Sequence, residues 1–142
     1  MIGASALAAL TIGASLATGT AAQATPPGSG VTGTIEWQKT IGHRDYIYRE
    51  ITIPPHQSTG WHYHPGTLYG QVKQGTLSHF DATCQSDGVY RQGSYIVEPS
   101  GADHVHIGVN RGNTPVVLDV LYVLPAGAPL SEDAPNPGCD FQ

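Results

Sequence analysis

The stretch WHYHPG, residues 61–66, spends two of the chain's seven histidines on neighbouring alternate positions, His62 and His64. In an extended strand, alternate residues share a face, so both imidazoles point the same way. About forty residues on comes VEPSGADHVH, in which Pro99 and Gly101 turn the chain into a new strand carrying His104 and His106. Two histidines from one strand and a third from another can converge at a barrel mouth. Neutral imidazole is a common ligand for Zn, Cu, Fe and Ni. Three such ligands leave positions for water or a substrate. The candidate metal ligands are therefore His62, His64 and His104. The competing reading is histidines on a polar sheet face or hydrogen-bonded within the core. His106 lies two beyond His104, shares its expected face and is the candidate catalytic group for proton transfer. A fourth ligand, a group that orients a ligand and a pocket wall are its other roles. His56, in a loop, and His79, beyond a turn, are expected to face solvent. Trp61 and Tyr63 alternate with the histidines and are expected to pack on the opposite face.

The elements that must position these groups read as short strands. Apolar or alternating runs rich in β-branched and aromatic residues cover 33–38, 45–53, 59–64, 68–74, 76–81, 94–98, 104–110 and 115–124. Gly and Pro separate them, a pattern of sandwiches and barrels. Lys73-Gln74-Gly75-Thr76 reads as a hairpin turn with Gly75 where φ must be positive. The Pro-rich tail, 125–142, is expected to wrap the domain, and TPPGSGVT, 25–32, to be a flexible leader. Residues 1–24 carry no charge, and their apolar run followed by Ala22-Gln23-Ala24 reads as a secretory signal cleaved after Ala24, although no positive n-region precedes it. The run is shorter than the roughly 20 residues a membrane span needs.

At 142 residues the chain suits one domain with a real core. Six Lys and Arg against eleven Asp and Glu, with no basic cluster, exclude phosphate-backbone binding and an electrostatic membrane role. Two cysteines in an exported chain imply one disulfide, Cys84–Cys139, tying the tail to a mid-domain loop.

Two motifs resemble those of the cupin superfamily. The first, G-x5-H-x-H-x3,4-E-x6-G, is matched by His56 in the glycine place, His62, His64, Leu68 (or Tyr69) in the glutamate place, and Gly75. The second, G-x5-P-x-G-x2-H-x3-N, is matched by Gly93, Pro99, Gly101 and His104, with Gly108 in the asparagine place and Asn110 close behind. The resemblance covers roughly residues 33–124 and implies a single all-β domain, a cupin-type double-stranded β-helix or jelly-roll barrel, with its site in the mouth. It implies one divalent transition metal, Fe, Zn, Mn, Ni or Cu, on His62, His64 and His104, and a small-molecule substrate. With Leu68 in place of the usual carboxylate, such a site favours a substrate that ligates as an anion. Tyr46, Tyr48, Glu50 and Asp119 lie in predicted strands, and any could supply the missing acid. The expected function is a secreted metal-dependent oxygenase or isomerase acting on a small organic anion; the alternative is a non-enzymatic module that binds a metal or small molecule. The resemblance also implies a homodimer.

Overall fold

The computed structural model describes residues 23–142. The expected signal segment lies outside the described residues apart from Gln23 and Ala24. The strands are β1 (Thr32–Ile41), β2 (Arg44–Ile53), β3 (His62–Tyr63), β4 (Thr67–Gln74), β5 (Thr76–Asp81), β6 (Ser86–Arg91), β7 (Tyr95–Glu98), β8 (His106–Val109), β9 (Val116–Pro125) and β10 (Glu132–Asp133). Among the described residues they form two antiparallel sheets, ordered β1-β2-β9-β4-β7 and β10-β3-β8-β5-β6. The expected barrel, 33–124, corresponds to β1 through β9.

Strict alternation builds the core. In β9, Val116, Leu118, Val120, Tyr122 and Leu124 all point inward, and Ile47, Ile53, Leu68 and Ile96 join them from neighbouring strands. Each fully buried aliphatic side chain contributes about 1.5–3 kcal/mol relative to exposure. A second cluster lies on the opposite face of the second sheet. There Trp61, Phe80 and Ile107 pack with Ala134 and Phe141 of the tail, which fits the expectation for Trp61.

Three expectations change. Gly75 has φ +78°, as its turn requires, but β4 and β5 belong to different sheets; the turn is a corner between sheets rather than a hairpin. A hairpin, β5–β6, follows the corner, and β6 lies outside the apolar runs read as strands because SDGVYR lacks an apolar alternation. The leader is not free. Thr25 is buried, its N–H donates to the Ala134 carbonyl at 3.0 Å, and its Oγ1 accepts from the Trp61 N–H at 2.7 Å.

The tail both wraps and pairs. Cys84 and Cys139 form a disulfide, which points to an oxidising compartment. Between them, β10 extends the second sheet by pairing with β3, Asp133 opposite His62. Among the described residues, no helix is long and apolar enough to cross a membrane.

Candidate metal centre

β3 and β8 run side by side with His62 directly opposite His106. His62, His64 and His106 are all buried and project between the two sheets. One ring nitrogen of each lies within 4.8 Å of the others. His104 is not among them. The strand starts at His106, and residues before it form a turn in which the His104 N–H bonds to the Gly101 carbonyl at 3.0 Å. Alternation therefore does not apply at His104, whose ring is exposed beside Asp103. His106, the candidate catalytic group, lies in the cluster where His104 was expected. The sequence carried a signal for this: from His106 the spacing H-x3-N ends on Asn110, with the turn two residues longer than the motif allows. Asn110 is fully buried, and its Nδ2 donates to the carbonyls of Ile53 and Thr114.

The backbone fixes the orientation of all three rings. His62 Nδ1 donates to the Gly60 carbonyl at 2.9 Å, His64 Nδ1 to Leu130 at 2.7 Å, and His106 Nδ1 to His104 at 2.8 Å. A carbonyl only accepts, so each Nδ1 carries a hydrogen, and Nε2 is the atom each ring turns to the centre, as a lone pair in the neutral form. The Nε2 atoms of His62 and His64 are 3.1 Å apart. His106 Nε2 is buried with no hydrogen-bond partner among the described residues.

The missing carboxylate is Glu98. Leu68 packs into the core, Tyr69 points outward, and the residue opposite Leu68 across β4–β7 is Glu98. Its Oε2 lies 3.2 Å from His64 Nε2 and 3.5 Å from His106 Nε2. The strand residues considered earlier do not serve. Glu50 and Asp119 pair with Lys73 on the outward face, at 2.9 and 3.4 Å, and Tyr48 stacks there on Trp37. In β7 the buried Ile96 two residues before Glu98 marks the inward face, and that alternation was the available signal.

His79, expected in solvent, is buried on the inner face of β5. Its Nδ1 is 2.6 Å from Asp87 Oδ1 and its Nε2 3.3 Å from Glu98 Oε1. Burial works against its imidazolium, but Asp87 and Glu98 outweigh burial and hold its pKa up to about 9. Burial likewise opposes the Glu98 anion, yet contacts with His106, His64 and His79 keep its carboxyl well below the usual range. His62 has no such counterion in contact. Burial, then the neighbouring rings of His106 and His64, push it down to about 3. His56, by contrast, is exposed as expected, with φ +61° in the glycine place of the motif.

Three imidazole Nε2 atoms and a carboxylate oxygen thus cluster, with His62–His64, His64–Glu98 and His106–Glu98 separations of 3.1, 3.2 and 3.5 Å. With each Nδ1–H committed to the backbone, the three Nε2 atoms and the Glu98 carboxylate compete for the same cations, protons in the metal-free site or a metal ion in their place. The donor set, N3O with ring N–H groups tied to backbone carbonyls, is one that suits a first-row transition metal.

No protein-family model and no curated protein matches the chain. Solved structures do. A double-stranded β-helix protein from Klebsiella pneumoniae superposes with TM-score 0.60 at 20% identity, over 76% of this chain and 88% of that one. The polyketide cyclase RemF from Streptomyces resistomycificus gives 0.61 at 18%, over 82% and 84%. A cupin domain from Bordetella pertussis gives 0.53 at 21%, over 69% and 95%. The chain has the cupin fold, a double-stranded β-helix.

Proposed function

We propose that the protein is an exported, mononuclear transition-metal cupin that acts on a small organic anion as an oxygenase or isomerase. The observation that carries the metal reading is the set of three buried Nε2 atoms, each turned to the centre by an Nδ1–H tied to a backbone carbonyl. His62, His64 and His106 would hold the ion, with Glu98 as the carboxylate. When bound, the metal would supply Lewis acidity toward an oxygen of the substrate. The protein's own groups do the rest. His79 holds the second oxygen of Glu98 and is itself held by Asp87, so the carboxylate cannot swing away from the three rings. Tyr122, whose ring lies 5.7 Å from that of His64, is kept as a neutral hydroxyl donor by its burial.

Elemental analysis of protein purified without a histidine tag tests the metal. We expect about one ion per chain, lost in a His62→Ala/His64→Ala/His106→Ala variant; a metal-loaded wild type that binds none contradicts the reading. Turnover separates enzyme from binding module: O2 uptake and product analysis across small diketones, thiols and phenols should yield a metal-dependent product, and none from any class would favour the module. Export predicts a mature chain beginning at Thr25, and N-terminal sequencing that returned Met1 would contradict it. A homodimer belongs to the same proposal. It is supported by β1, an edge strand of ten exposed residues that presents Ile35, Trp37 and Ile41.

A further inference from the structure

We infer that the cavity beside His62 is a carboxylate-binding pocket whose anchor is Arg49, so the substrate is a small monocarboxylic acid. This rests on the metal-site reading only for what happens at the far end of the ligand.

The inward row of β2 reads Ile47, Arg49, Ile51, Ile53, a charge set in the middle of an apolar series. Half-buried arginine in such a row normally has a carboxylate partner. Among the described residues none lies within 4 Å of this guanidinium. Its Nη1 donates to the Tyr122 hydroxyl at 3.3 Å, and its Nε is buried with no hydrogen-bond partner among the described residues. The Tyr122 ring, 5.6 Å from the guanidinium carbon, supports the cation from one side. Gly33 also adjoins the guanidinium: a Cβ there would overlap it, so the missing side chain is what leaves room for the group.

Arg49, Tyr122 and His62 line one cavity of about 160 Å³. That is the volume of about five waters, room for a small ligand. Its walls are mixed: Pro27, Val31 and Ile51 are apolar, Thr59 and Ser131 are hydroxylic. Nη2 has no hydrogen-bond partner among the described residues and is not sealed like Nε, so the guanidinium can meet a carboxylate oxygen there with a charge-assisted hydrogen bond. His79 already matches the charge of Glu98, which leaves Arg49, among the described residues, as the one cation lining the cavity, so the charge suits a monoanion rather than a doubly charged phosphate. The apolar walls suit a short carbon body. A carboxylate on Arg49 places the rest of such a molecule toward His62, on the open side of the three-histidine cluster.

The test is isothermal titration of the metal-loaded full-length mature protein with acetate, butyrate and benzoate, and with butyramide as the neutral match for butyrate. At least one acid should bind, and butyramide should bind at least tenfold more weakly than butyrate where butyrate is the binder. Arg49→Met keeps the volume, removes the charge and should lower acid affinity by about 100-fold, the loss expected when one partner of a buried charge pair is removed. Gly33→Ala keeps the charge but displaces the guanidinium, and it too should weaken binding. Both variants should keep wild-type metal content and near-ultraviolet dichroism, which establishes that they fold. Acids that bind Arg49→Met as well as wild type, acid and amide that bind alike, or no binding by any of the three acids would each overturn the inference. Repeating the titration after chelation separates the two readings. Arg49-dependent binding that survives in a protein shown never to take up metal would sink the metal site alone. Full metal content with Arg49-independent binding would sink the pocket alone.

Discussion

At the scale of single residues, the site is a crowd of acceptors held in place by backbone carbonyls. His62 is the ring with least electrostatic support, and its pKa near 3 has a consequence for the metal-free protein. Unfolded, His62 takes up its proton near pH 6.5. Folded, it does so only near pH 3, so between these values the unfolded chain holds more protons and stability falls as pH falls. Urea melts of metal-stripped protein should show this slope, and His62→Gln should flatten it. His79 has the opposite sign. Its contribution is complete below pH 6.5 and is lost as pH rises through about 9. Asp87→Asn should lower the His79 titration observed by NMR; an unchanged midpoint would show that Asp87 does not hold the ring. Leu68→Glu, which restores the motif's letter, should destabilise by about 3 kcal/mol or more in urea melts. It removes a core side chain and sets a second carboxylate opposite Glu98. The His62/His64 pair was legible because a two-residue spacing is enough to aim both rings. For Glu98 the alternation with Ile96 marks only its inward face; its place opposite Leu68 is set by the β4–β7 register, which no local pattern encodes.

At the scale of elements, strands with alternating apolar residues were legible, and those built on polar residues were not. β9 and β2 appear where the alternation places them, whereas β6 and β10 carry little apolar signal and form mainly through backbone pairing, with Tyr90 of β6 packing on the core. The start of β8 at His106 rather than His104 decided which histidine reaches the site. The tail is the element whose role exceeds its sequence. Its cysteine was readable from count and compartment, but not that the Leu130 carbonyl orients His64 or that Phe141 covers Trp61. Closing a 55-residue separation, the disulfide stabilises by about 4 kcal/mol on the chain-entropy model. Reducing it should release the tail before the barrel unfolds. Metal affinity should fall in step, because His64 Nδ1 loses its acceptor. Competition against a metallochromic chelator, with and without reductant, measures this; equal affinity in both states would show that the tail does not position His64.

At the scale of the whole molecule, composition and turn spacing were sufficient for a sandwich or a barrel, and the resemblance to cupin motifs chose the barrel and located its mouth. What they could not supply was which side chains from the facing sheet meet the histidines, since Glu98, Arg49 and Tyr122 reach the site only once the two sheets close. Closure also leaves β1 as a long exposed edge, and light scattering should return the mass of a dimer that Trp37→Glu reduces to a monomer. The central claim is narrower and more exposed to test: one ion is held by His62, His64 and His106, and His104 takes no part. Elemental analysis of untagged wild type beside His106→Ala and His104→Ala decides it. The account predicts about one metal per chain in wild type and in His104→Ala, and most of it lost in His106→Ala; metal lost from His104→Ala but retained by His106→Ala would contradict it.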